Sequence, residues 1–246
     1  MEELARNKLI VALDVDSANY ARDLVKVLRG VVGMFKVGSQ LFAAAGPEIV
    51  REIVKSGSRV FLDLKFHDIP NTVLSAGIEA TRLGVSIFNV HALGGKEMMQ
   101  RTADAVTEVA AAEGLERPSV IAVTVLTSAD AATLAETGIS SDPNAQVLRL
   151  SLLAASSGMD GVVASPHEII QVRSAIQSRG FIIVTPGVRP AETAFDDQKR
   201  VMTPAEAIRA GADYIVVGRP ITRAVDPALA ATRIVAEMAS SLAFSS

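Results

Sequence analysis

Two aspartates and a lysine lie within six residues in the segment 63–72, which reads DLKFHDIPNT. The apolar run before it predicts a strand, in which successive side chains point to opposite faces, so Asp63 and Lys65 share one face. Asp68 then lies beyond the strand end, in a turn indicated by Pro70. Charges buried side by side are costly unless they are paired. The segment indicates either an ion-pair cluster on an edge strand or a site in which paired charges do chemistry.

Charged, hydroxyl and glycine positions also lie at the ends of the other apolar runs or near them, which argues against a chance surface cluster. They are Asp14, Lys36, His91, Thr127, Ser128, Arg189, Gly218 and Arg219. One subgroup alternates in charge and consists of Lys36, Asp63, Lys65 and Asp68. Neighbours of opposite charge keep one another ionised in a partly buried site. A lysine held in this way is a cation that can give a proton to a developing carbanion, whereas an unpaired buried lysine tends to lose its charge.

A second subgroup is suited to bind an anion and consists of Arg189, Gly218 and Arg219, with Gln198 on the long polar stretch between them. A guanidinium fork and backbone N–H groups at a helix start often hold phosphate together, and a glycine lets the backbone approach an anion closely. The polar stretch 190–200 is long for a loop between a strand and a helix. We therefore expect a phosphate site at the last two strands, with residues 190–200 as a lid that closes over it.

The chain has three histidines, and their positions favour packing or support over metal binding. His67 should point away from Asp68, so we expect it to pack or to bond to the backbone. His91 ends a predicted strand, and we expect it to orient the side chains of the charged cluster without contacting the ligand itself. Since the sequence shows no close histidine pair and no cysteine, we expect no metal site.

Short runs rich in β-branched residues alternate with amphipathic helical patterns along the whole chain, and these elements must position the residues above. Most runs are continuously apolar, as expected for parallel strands covered on both faces. They predict strands at 9–15, 34–38, 60–66, 86–92, 120–126, 161–164, 181–185 and 214–218. The patterns between them predict helices at 18–28, 48–56, 73–83, 96–113, 145–156, 166–179, 203–210 and 227–241.

Eight strand–helix units in 246 residues match the (β/α)8 TIM barrel, an α/β fold of about 250 residues whose active site forms at the carboxyl ends of the strands. The main alternative is an open doubly wound sheet, which calls for two unequal halves or for a glycine-rich dinucleotide fingerprint after the first strand. Here the first strand ends in the sequence Asp14-Val15-Asp16-Ser17 instead. No linker or low-complexity tract divides the chain, so we expect one catalytic domain over residues 1–246.

The composition restricts the partners that the chain can have. Of its residues, 49% are hydrophobic and 21% are charged, with a net charge of −3. Mild acidity without a block of Lys and Arg argues against nucleic acid and against an anionic membrane as partners. The absence of cysteine excludes disulfides, a thiolate metal site and a cysteine nucleophile. Because the first residues lack the apolar stretch of a signal peptide and no apolar run is long enough to cross a bilayer, we expect a cytoplasmic protein.

Seven segments of the chain, taken in order, resemble those of the orotidine 5′-phosphate decarboxylase family of the bacterial type. The longest is DLKFHDIPNT at 63–72. The others are ALD at 12–14, KVG at 36–38, NVHA at 89–92, VLTS at 125–128, TPGVRP at 185–190 and VGRP at 217–220. The last is weak by itself, but the seven lie at matching strand ends and span the chain. The resemblance implies a barrel that converts orotidine 5′-phosphate to uridine 5′-phosphate in pyrimidine biosynthesis, without a metal or an organic cofactor.

The resemblance also implies a role for each matching residue. Lys65 would donate the proton to C6 of the pyrimidine, and Asp63 would lie beside the departing carboxylate. Lys36 would hold that acid and contact the ribose, and Asp14 would bind a ribose hydroxyl. Thr127 would contact the pyrimidine ring.

Two further implications concern the phosphate and the partner. The 5′-phosphate would be held by Arg189, Gln198, Gly218 and Arg219. A homodimer is implied as well, because Asp68, Ile69 and Thr72 would reach into the neighbouring subunit's site.

Two alternatives stay open at this point. A Mg²⁺-dependent sugar-phosphate decarboxylase or hexulose-phosphate synthase can use the same Asp-x-Lys-x-x-Asp arrangement, and it would stabilise an enediolate on the metal and lose activity on chelation. A non-catalytic barrel that binds phosphate could keep the scaffold without the reaction. The intact charged subgroup argues against the second, and an assay of orotidine 5′-phosphate loss with and without EDTA separates all three.

Overall fold

The computed structural model describes residues 1–140, 142–178, 180–190 and 202–242. Within these ranges, eight parallel strands close into a barrel in chain order, with the last strand beside the first. The strands are β1 (Leu9–Ala12), β2 (Met34–Gly38), β3 (Val60–Phe66), β4 (Ile87–His91), β5 (Ser119–Val123), β6 (Gly161–Val163), β7 (Ile182–Pro186) and β8 (Tyr214–Val217). The predicted (β/α)8 barrel is confirmed.

Helices surround the barrel and lie between successive strands. Over the described residues they are α1 (Glu2–Lys8), α2 (Ala18–Leu28), α3 (Ser39–Ala45), α4 (Glu48–Lys55), α5 (Pro70–Arg82), α6 (Gly95–Glu113), α7 (Ala131–Glu136), α8 (Pro143–Ser156), α9 (Ile169–Ala175), α10 (Pro204–Ala210), α11 (Arg219–Thr222) and α12 (Pro227–Leu242). Short 3₁₀ turns at Ala92–Gly94 and Pro166–Glu168 follow β4 and β6. None of the described helices combines the length and the apolar character needed to span a membrane.

Two apolar layers hold the strands in place. The inner layer fills the barrel and consists of Ile10, Ala12, Met34, Phe61, Ile87, Ile121, Val184 and Val216. Neighbouring strand residues such as Val11 and Phe35 point outward and belong to the larger layer between strands and helices. Because both faces of the strands are covered, the strands are apolar over most of their length, and the sequence shows largely continuous apolar runs instead of alternation.

Two aspartates at the amino end of the barrel link neighbouring strands in the same way. The Asp160 carboxylate accepts a hydrogen bond from the backbone N–H of Val120 on the preceding strand at 2.6 Å and one from Arg117 at 2.8 Å. The Asp213 carboxylate accepts one from the backbone N–H of Ile183 on the preceding strand at 2.8 Å and one from Arg173 at 2.6 Å. We call these groups the aspartate clamps; they comprise Asp160 with Val120 and Arg117, and Asp213 with Ile183 and Arg173. Each clamp connects a strand of the barrel to the one before it.

Several elements differ from their predicted bounds. The strands at 34–38 and 60–66 and the helix at 18–28 are as predicted, but β1 ends at Ala12 and β5 ends at Val123. Both apolar runs continue past the barrel rim, where the chain turns away from the sheet. The helix predicted at 166–179 is a 3₁₀ turn followed by α9. The helices α1, α3, α7 and α11 were not predicted, since with seven residues or fewer they show too little of an apolar period.

Candidate active site

The carboxyl ends of the strands open into one cavity with a volume of about 1190 Å³. Residues from seven of the eight strands, or from the loops after them, line it. They include eight of the positions predicted from the sequence: Asp14, Lys36, Asp63, Lys65, Thr127, Arg189, Gly218 and Arg219. A concave site with a few convergent polar groups is the usual setting for a small-molecule ligand.

Four of these side chains form a row of alternating charge, which we call the charged row. The Lys36 ammonium lies between Asp14 Oδ1 at 2.9 Å and Asp63 Oδ2 at 3.2 Å. The Lys65 ammonium contacts the other oxygen of Asp63, Oδ1, at 2.7 Å. The side chains of Lys36 and Asp63 are only 10% and 13% exposed, whereas Lys65 is 38% exposed. The buried charges compensate one another, and the Lys65 ammonium remains accessible from the cavity.

The Asp63 carboxylate is held in its ionised form. Burial raises the pKa of Asp63, but the positive charges of Lys36 and Lys65, together with hydrogen bonds from Lys65 and Asn89, outweigh burial and bring the pKa below its ordinary value. The row therefore keeps a fixed negative charge beside the Lys65 ammonium.

Lys65 owes its position to an irregularity in β3. The register between β3 and β4 shifts between Leu62 and Phe66. Lys65 has a φ of 51°, the only positive value outside glycine in the part of the chain that is described. A left-handed conformation costs a residue with a side chain about 1–2 kcal/mol. Alternation along a strand was enough to predict that Asp63 and Lys65 face the same side, but it does not predict this conformation, which surrounding contacts must hold.

Asn89 on β4 supplies two such contacts. Its side chain is fully buried. The amide nitrogen Nδ2 donates a hydrogen bond to Asp63 Oδ1 at 2.7 Å, and Oδ1 accepts one from the backbone N–H of Lys65 at 2.7 Å. Asn89 falls in one of the matching segments, but no role was predicted for it. The signal was present in the sequence, because an asparagine inside an apolar strand must find partners when it is buried.

Gly38 at the end of β2 leaves room for the ion pair between Asp14 and Lys36. A Cβ atom at this position would lie 3.1 Å from both Asp14 Oδ1 and Lys36 Nζ. The φ of Gly38 is −93°, a value that any residue can adopt. The glycine is therefore needed for space and not for backbone conformation, a role that the strand pattern did not predict.

The residues predicted to bind an anion, Arg189, Gly218 and Arg219, follow β7 and β8 in the chain, and all three line the cavity. A Cβ atom at Gly218 would approach one described atom, Ala12 Cβ, at an ordinary contact distance of 3.6 Å. The packing of the protein itself therefore does not require a glycine here, which agrees with a space kept for a ligand. Gln198 and the lid from residue 191 onward lie outside the described residues, so these two predictions stay predictions.

Asp68, Ile69 and Thr72 lie away from the cavity of their own chain. They are exposed, and they are absent from the cavity wall formed by the described residues. The Asp68 carboxylate accepts a hydrogen bond from the Ile69 N–H at 2.6 Å, and Ile69 is 66% exposed although it is apolar. The structure thus brings together three members of the predicted charged subgroup and leaves Asp68 apart. Its predicted place in the site of a neighbouring subunit is not tested by the structure of a single chain.

His67 and His91 lie against each other at the ends of β3 and β4, a pairing that the sequence did not predict. Their ring centroids are 5.3 Å apart and their planes differ by 20°. His91 Nδ1 accepts a hydrogen bond from the Leu93 N–H at 3.3 Å. Burial, followed by the proximity of His67 and Lys65, lowers the pKa of His91 to about 4. Over the described ranges, no three His, Cys, Asp or Glu side chains lie close enough together to hold a metal ion.

Comparison with known proteins finds relatives over nearly the whole chain. The profile of the family described as "Orotidine 5'-phosphate decarboxylase / HUMPS family" matches residues 7–234. A protein from Syntrophotalea carbinolica named orotidine 5′-phosphate decarboxylase is 56% identical over 238 residues, which are 97% of this chain and 97% of that protein. One of the same name from Moorella thermoacetica is 55% identical over 235 residues, covering 95% of this chain and 93% of that protein.

Solved structures agree with the sequence relatives. The crystal structure of orotidine 5′-phosphate decarboxylase from Lactobacillus acidophilus has a TM-score of 0.82 at 38% identity, and the match covers 94% of this chain and 98% of that chain. The corresponding structure from Pyrococcus horikoshii has a TM-score of 0.73 at 27% identity, covering 94% and 99%. Sequence profile, full-length relatives and fold point the same way: the chain belongs to the orotidine 5′-phosphate decarboxylase / HUMPS family.

Proposed function

We propose that this protein is an orotidine 5′-phosphate decarboxylase, a carboxy-lyase that forms uridine 5′-phosphate in pyrimidine biosynthesis. The observation that carries the proposal is the accessible Lys65 ammonium, held 2.7 Å from Asp63 at the end of the barrel. The relatives above carry the decarboxylase name over their full length, which favours this activity over a hexulose-phosphate synthase within the family. One catalytic domain over residues 1–246 and a cytoplasmic location are part of the proposal.

The reaction places an electron pair on carbon. When the bond between C6 and the carboxylate breaks, CO₂ leaves and the pair stays on C6 in the ring plane, where the ring carbonyls cannot delocalise it as an enolate. Preorganised positive charge is then the main means of stabilising the developing anion. The Lys65 ammonium supplies this charge, transfers a proton to C6 and recovers one from solvent. The net reaction exchanges CO₂ for a proton.

The other members of the charged row prepare this lysine and hold the nucleoside. Asp63 holds the Lys65 ammonium in an ion pair at 2.7 Å and lies beside the departing carboxylate. Lys36 balances the charge of Asp63 at 3.2 Å. Lys36 also contacts the ribose, and Asp14 binds a ribose hydroxyl. The Asp14 side chain is 54% exposed, which leaves its carboxylate accessible for this purpose. Thr127 contacts the pyrimidine ring.

The 5′-phosphate binds away from the reacting carbon, at Arg189, Gln198, Gly218 and Arg219. Contacts to a remote part of a substrate provide binding energy that orients the reacting centre and closes loops over it. The stretch that contains Gln198 is the lid in this proposal. No metal or organic cofactor takes part.

A homodimer completes the site, with Asp68, Ile69 and Thr72 reaching into the cavity of the neighbouring subunit. Two exposed apolar side chains at the ends of β3 and β4 support an interface at this place, Ile69 at 66% and Leu93 at 47% exposure. Apolar side chains exposed together, next to a polar rim, are typical of protein–protein contacts. The Asp68 carboxylate would extend the charged row across that interface.

The deciding experiment measures the loss of orotidine 5′-phosphate by its ultraviolet absorbance, with and without EDTA. We expect turnover that EDTA leaves unchanged, and a fall in kcat of at least about 10⁴-fold in Lys65→Ala, because both the stabilising charge and the proton donor are removed. Lys55→Ala on α4, which removes an exposed lysine remote from the cavity, is the matched control and should keep full activity. Circular dichroism and thermal unfolding are the measurements that check whether both variants fold.

Three results would contradict the proposal. Wild-type protein that binds uridine 5′-phosphate without decarboxylating the substrate would indicate the non-catalytic barrel. Activity that disappears with EDTA and returns with Mg²⁺ would indicate the metal-dependent alternative. A kcat of Lys65→Ala within about tenfold of wild type would show that the lysine is not the proton donor.

A further inference from the structure

Asn89 is a fully buried polar side chain in direct contact with the charged row, and the reaction proposed above assigns it no part. A buried carboxamide is costly unless its donors and acceptor find partners. Asn89 has two such partners, and both belong to the reacting pair: the carboxylate of Asp63 and the backbone of Lys65, each at 2.7 Å.

The strand register places Asn89 opposite the whole reacting segment. Leu62 of β3 pairs with Phe88 of β4, and the next pair is Phe66 with Val90. Three residues of β3, at positions 63–65, therefore face the single residue Asn89. A strand with extra residues leaves part of its backbone without partners in the ladder. The side chain of Asn89 takes the place of a ladder carbonyl for the Lys65 N–H.

The orientation of the carboxamide follows from its two partners. The Lys65 N–H can only donate and the ionised Asp63 carboxylate can only accept, so Oδ1 must face the first and Nδ2 the second. Asp63 Oδ1 then receives hydrogen bonds from Asn89 Nδ2 and Lys65 Nζ, both at 2.7 Å, while Oδ2 faces Lys36. The rotation of the carboxylate is held from three sides.

We propose that Asn89 is a positioning residue for the decarboxylation. It anchors the left-handed backbone of Lys65 through its Oδ1 and sets the rotation of the Asp63 carboxylate through its Nδ2, and so fixes the ammonium relative to C6. The proposal rests on the proposed function. It adds that the geometry of the proton donor depends on one carboxamide of the neighbouring strand, which does not touch the substrate.

The first test replaces the carboxamide with an apolar side chain of similar size, Asn89→Leu. We expect kcat to fall about 10²-fold, because a small displacement of a catalytic group has an effect of this order. KM should change less than about threefold, since the ribose and phosphate contacts do not involve Asn89. Thr102→Val on α6 is the control: it also removes one hydrogen bond of a fully buried side chain, to Met98 O, but far from the cavity, and it should leave kcat unchanged.

The second test, Asn89→Asp, separates the two hydrogen bonds. The new carboxyl still accepts from the Lys65 N–H, but it can donate to Asp63 only when it is protonated. Two neighbouring carboxylates raise the pKa for their shared proton. The ratio of variant to wild-type kcat should therefore rise as the pH falls from 8 to 6, by about tenfold per pH unit while the pH lies above that pKa. A side chain that serves only to fill the core would not produce this pH dependence.

The results distinguish this inference from the proposed function. If wild-type protein does not decarboxylate the substrate, the proposed function fails. If wild type is active and Asn89→Leu keeps kcat within about threefold, or loses activity only through KM, the positioning role is wrong. If Asn89→Leu does not fold, Asn89→Asp decides by itself, and a kcat ratio that stays flat between pH 8 and 6 overturns the role.

Discussion

At the scale of single residues, Lys65 combines two costs that a lysine on a regular strand does not carry. Its backbone is left-handed, and its ammonium is held in an ion pair with the largely buried Asp63. Strained residues persist only where the surroundings hold them, and they concentrate at functional sites. Asp63, Asn89 and Lys36 are those surroundings here. In the proposed reaction, the chemistry of the site thus depends on residues that keep one ammonium in place.

Gly38 gives a test of how closely the charged row is packed. In Gly38→Ala, the new methyl group would lie 3.1 Å from Lys36 Nζ and Asp14 Oδ1, so one of the two side chains must move. We expect kcat/KM to fall about tenfold with little change in thermal stability, because the backbone conformation is ordinary and only the ion pair is displaced. Steady-state kinetics and thermal unfolding of the variant provide the measurement.

The control for Gly38→Ala is Gly180→Ala. Its new methyl group would meet Ser178 Oγ at 3.9 Å, an ordinary contact, and the position lies before β7, away from the cavity. A Gly38→Ala enzyme as active as the control would mean that the charged row tolerates such a displacement.

Much of the site was predictable from residue types alone, and the rest required the pairing of strands. Asp63, Lys65 and Arg189 are visible as polar residues at the ends of apolar runs. The role of Asn89 is not, because it depends on which residues of β3 stand opposite it across the sheet. The same holds for Gly38, whose neighbour Asp14 lies in the segment that follows another strand, β1.

At the scale of elements, the ends of β3 and β4 form one unit. The strands share the shifted register, and the stacked rings of His67 and His91 link them just beyond it. The segment with Asp68 leaves β3 at this point. Strand positions were predictable because continuous apolar runs mark buried parallel strands. The short helices at the rim, such as α3 and α11, were not, because their start depends on where the chain leaves the barrel.

The burial of His91 predicts a dependence of stability on pH. The pKa of His91 is about 4 in the folded protein, below the ordinary value of about 6.5. Between these values the unfolded chain takes up a proton that the folded chain does not, so the free energy of unfolding falls as the pH drops through about 6.5, and this loss is complete below about 4. In His91→Asn, which keeps an acceptor for the Leu93 N–H, the loss should be smaller.

Urea unfolding at pH 7.5 and pH 5, at one protein concentration, measures this difference. His167→Asn removes an exposed histidine and is the matched control; it should lose as much stability on acidification as wild type. Equal losses in His91→Asn and wild type would mean that His91 is not the group responsible.

At the scale of the whole molecule, the proposed dimer makes each active site a joint product of two chains. Lys65→Ala and Asp68→Ala should each be nearly inactive alone. The two variants are then refolded together, so that mixed dimers form. If Asp68 acts across the interface, a mixed dimer has one site that carries both substitutions and one site that carries neither. Random pairing makes half of the dimers mixed, so the activity should rise to about a quarter of the wild-type value.

A mixture of Lys65→Ala with the double variant Lys65→Ala, Asp68→Ala serves as the control, because no pairing of these chains restores an intact site. Native mass spectrometry confirms that mixed dimers have formed. If they are present and the activity of the first mixture does not rise, Asp68 acts within its own chain or not at all.

The aspartate clamps lie at the end of the barrel opposite the candidate active site. Asp160 and Asp213 join strands at the amino end, whereas the strained and charged residues lie at the carboxyl end. In barrels of this type the amino end serves stability and the carboxyl end serves catalysis. For protein engineering, this separation means that the rim can be rebuilt for other anionic substrates while the clamps keep the barrel closed. In directed evolution, this chain should accordingly tolerate many changes in the rim loops. It should tolerate few at the two arginines and two aspartates of the clamps.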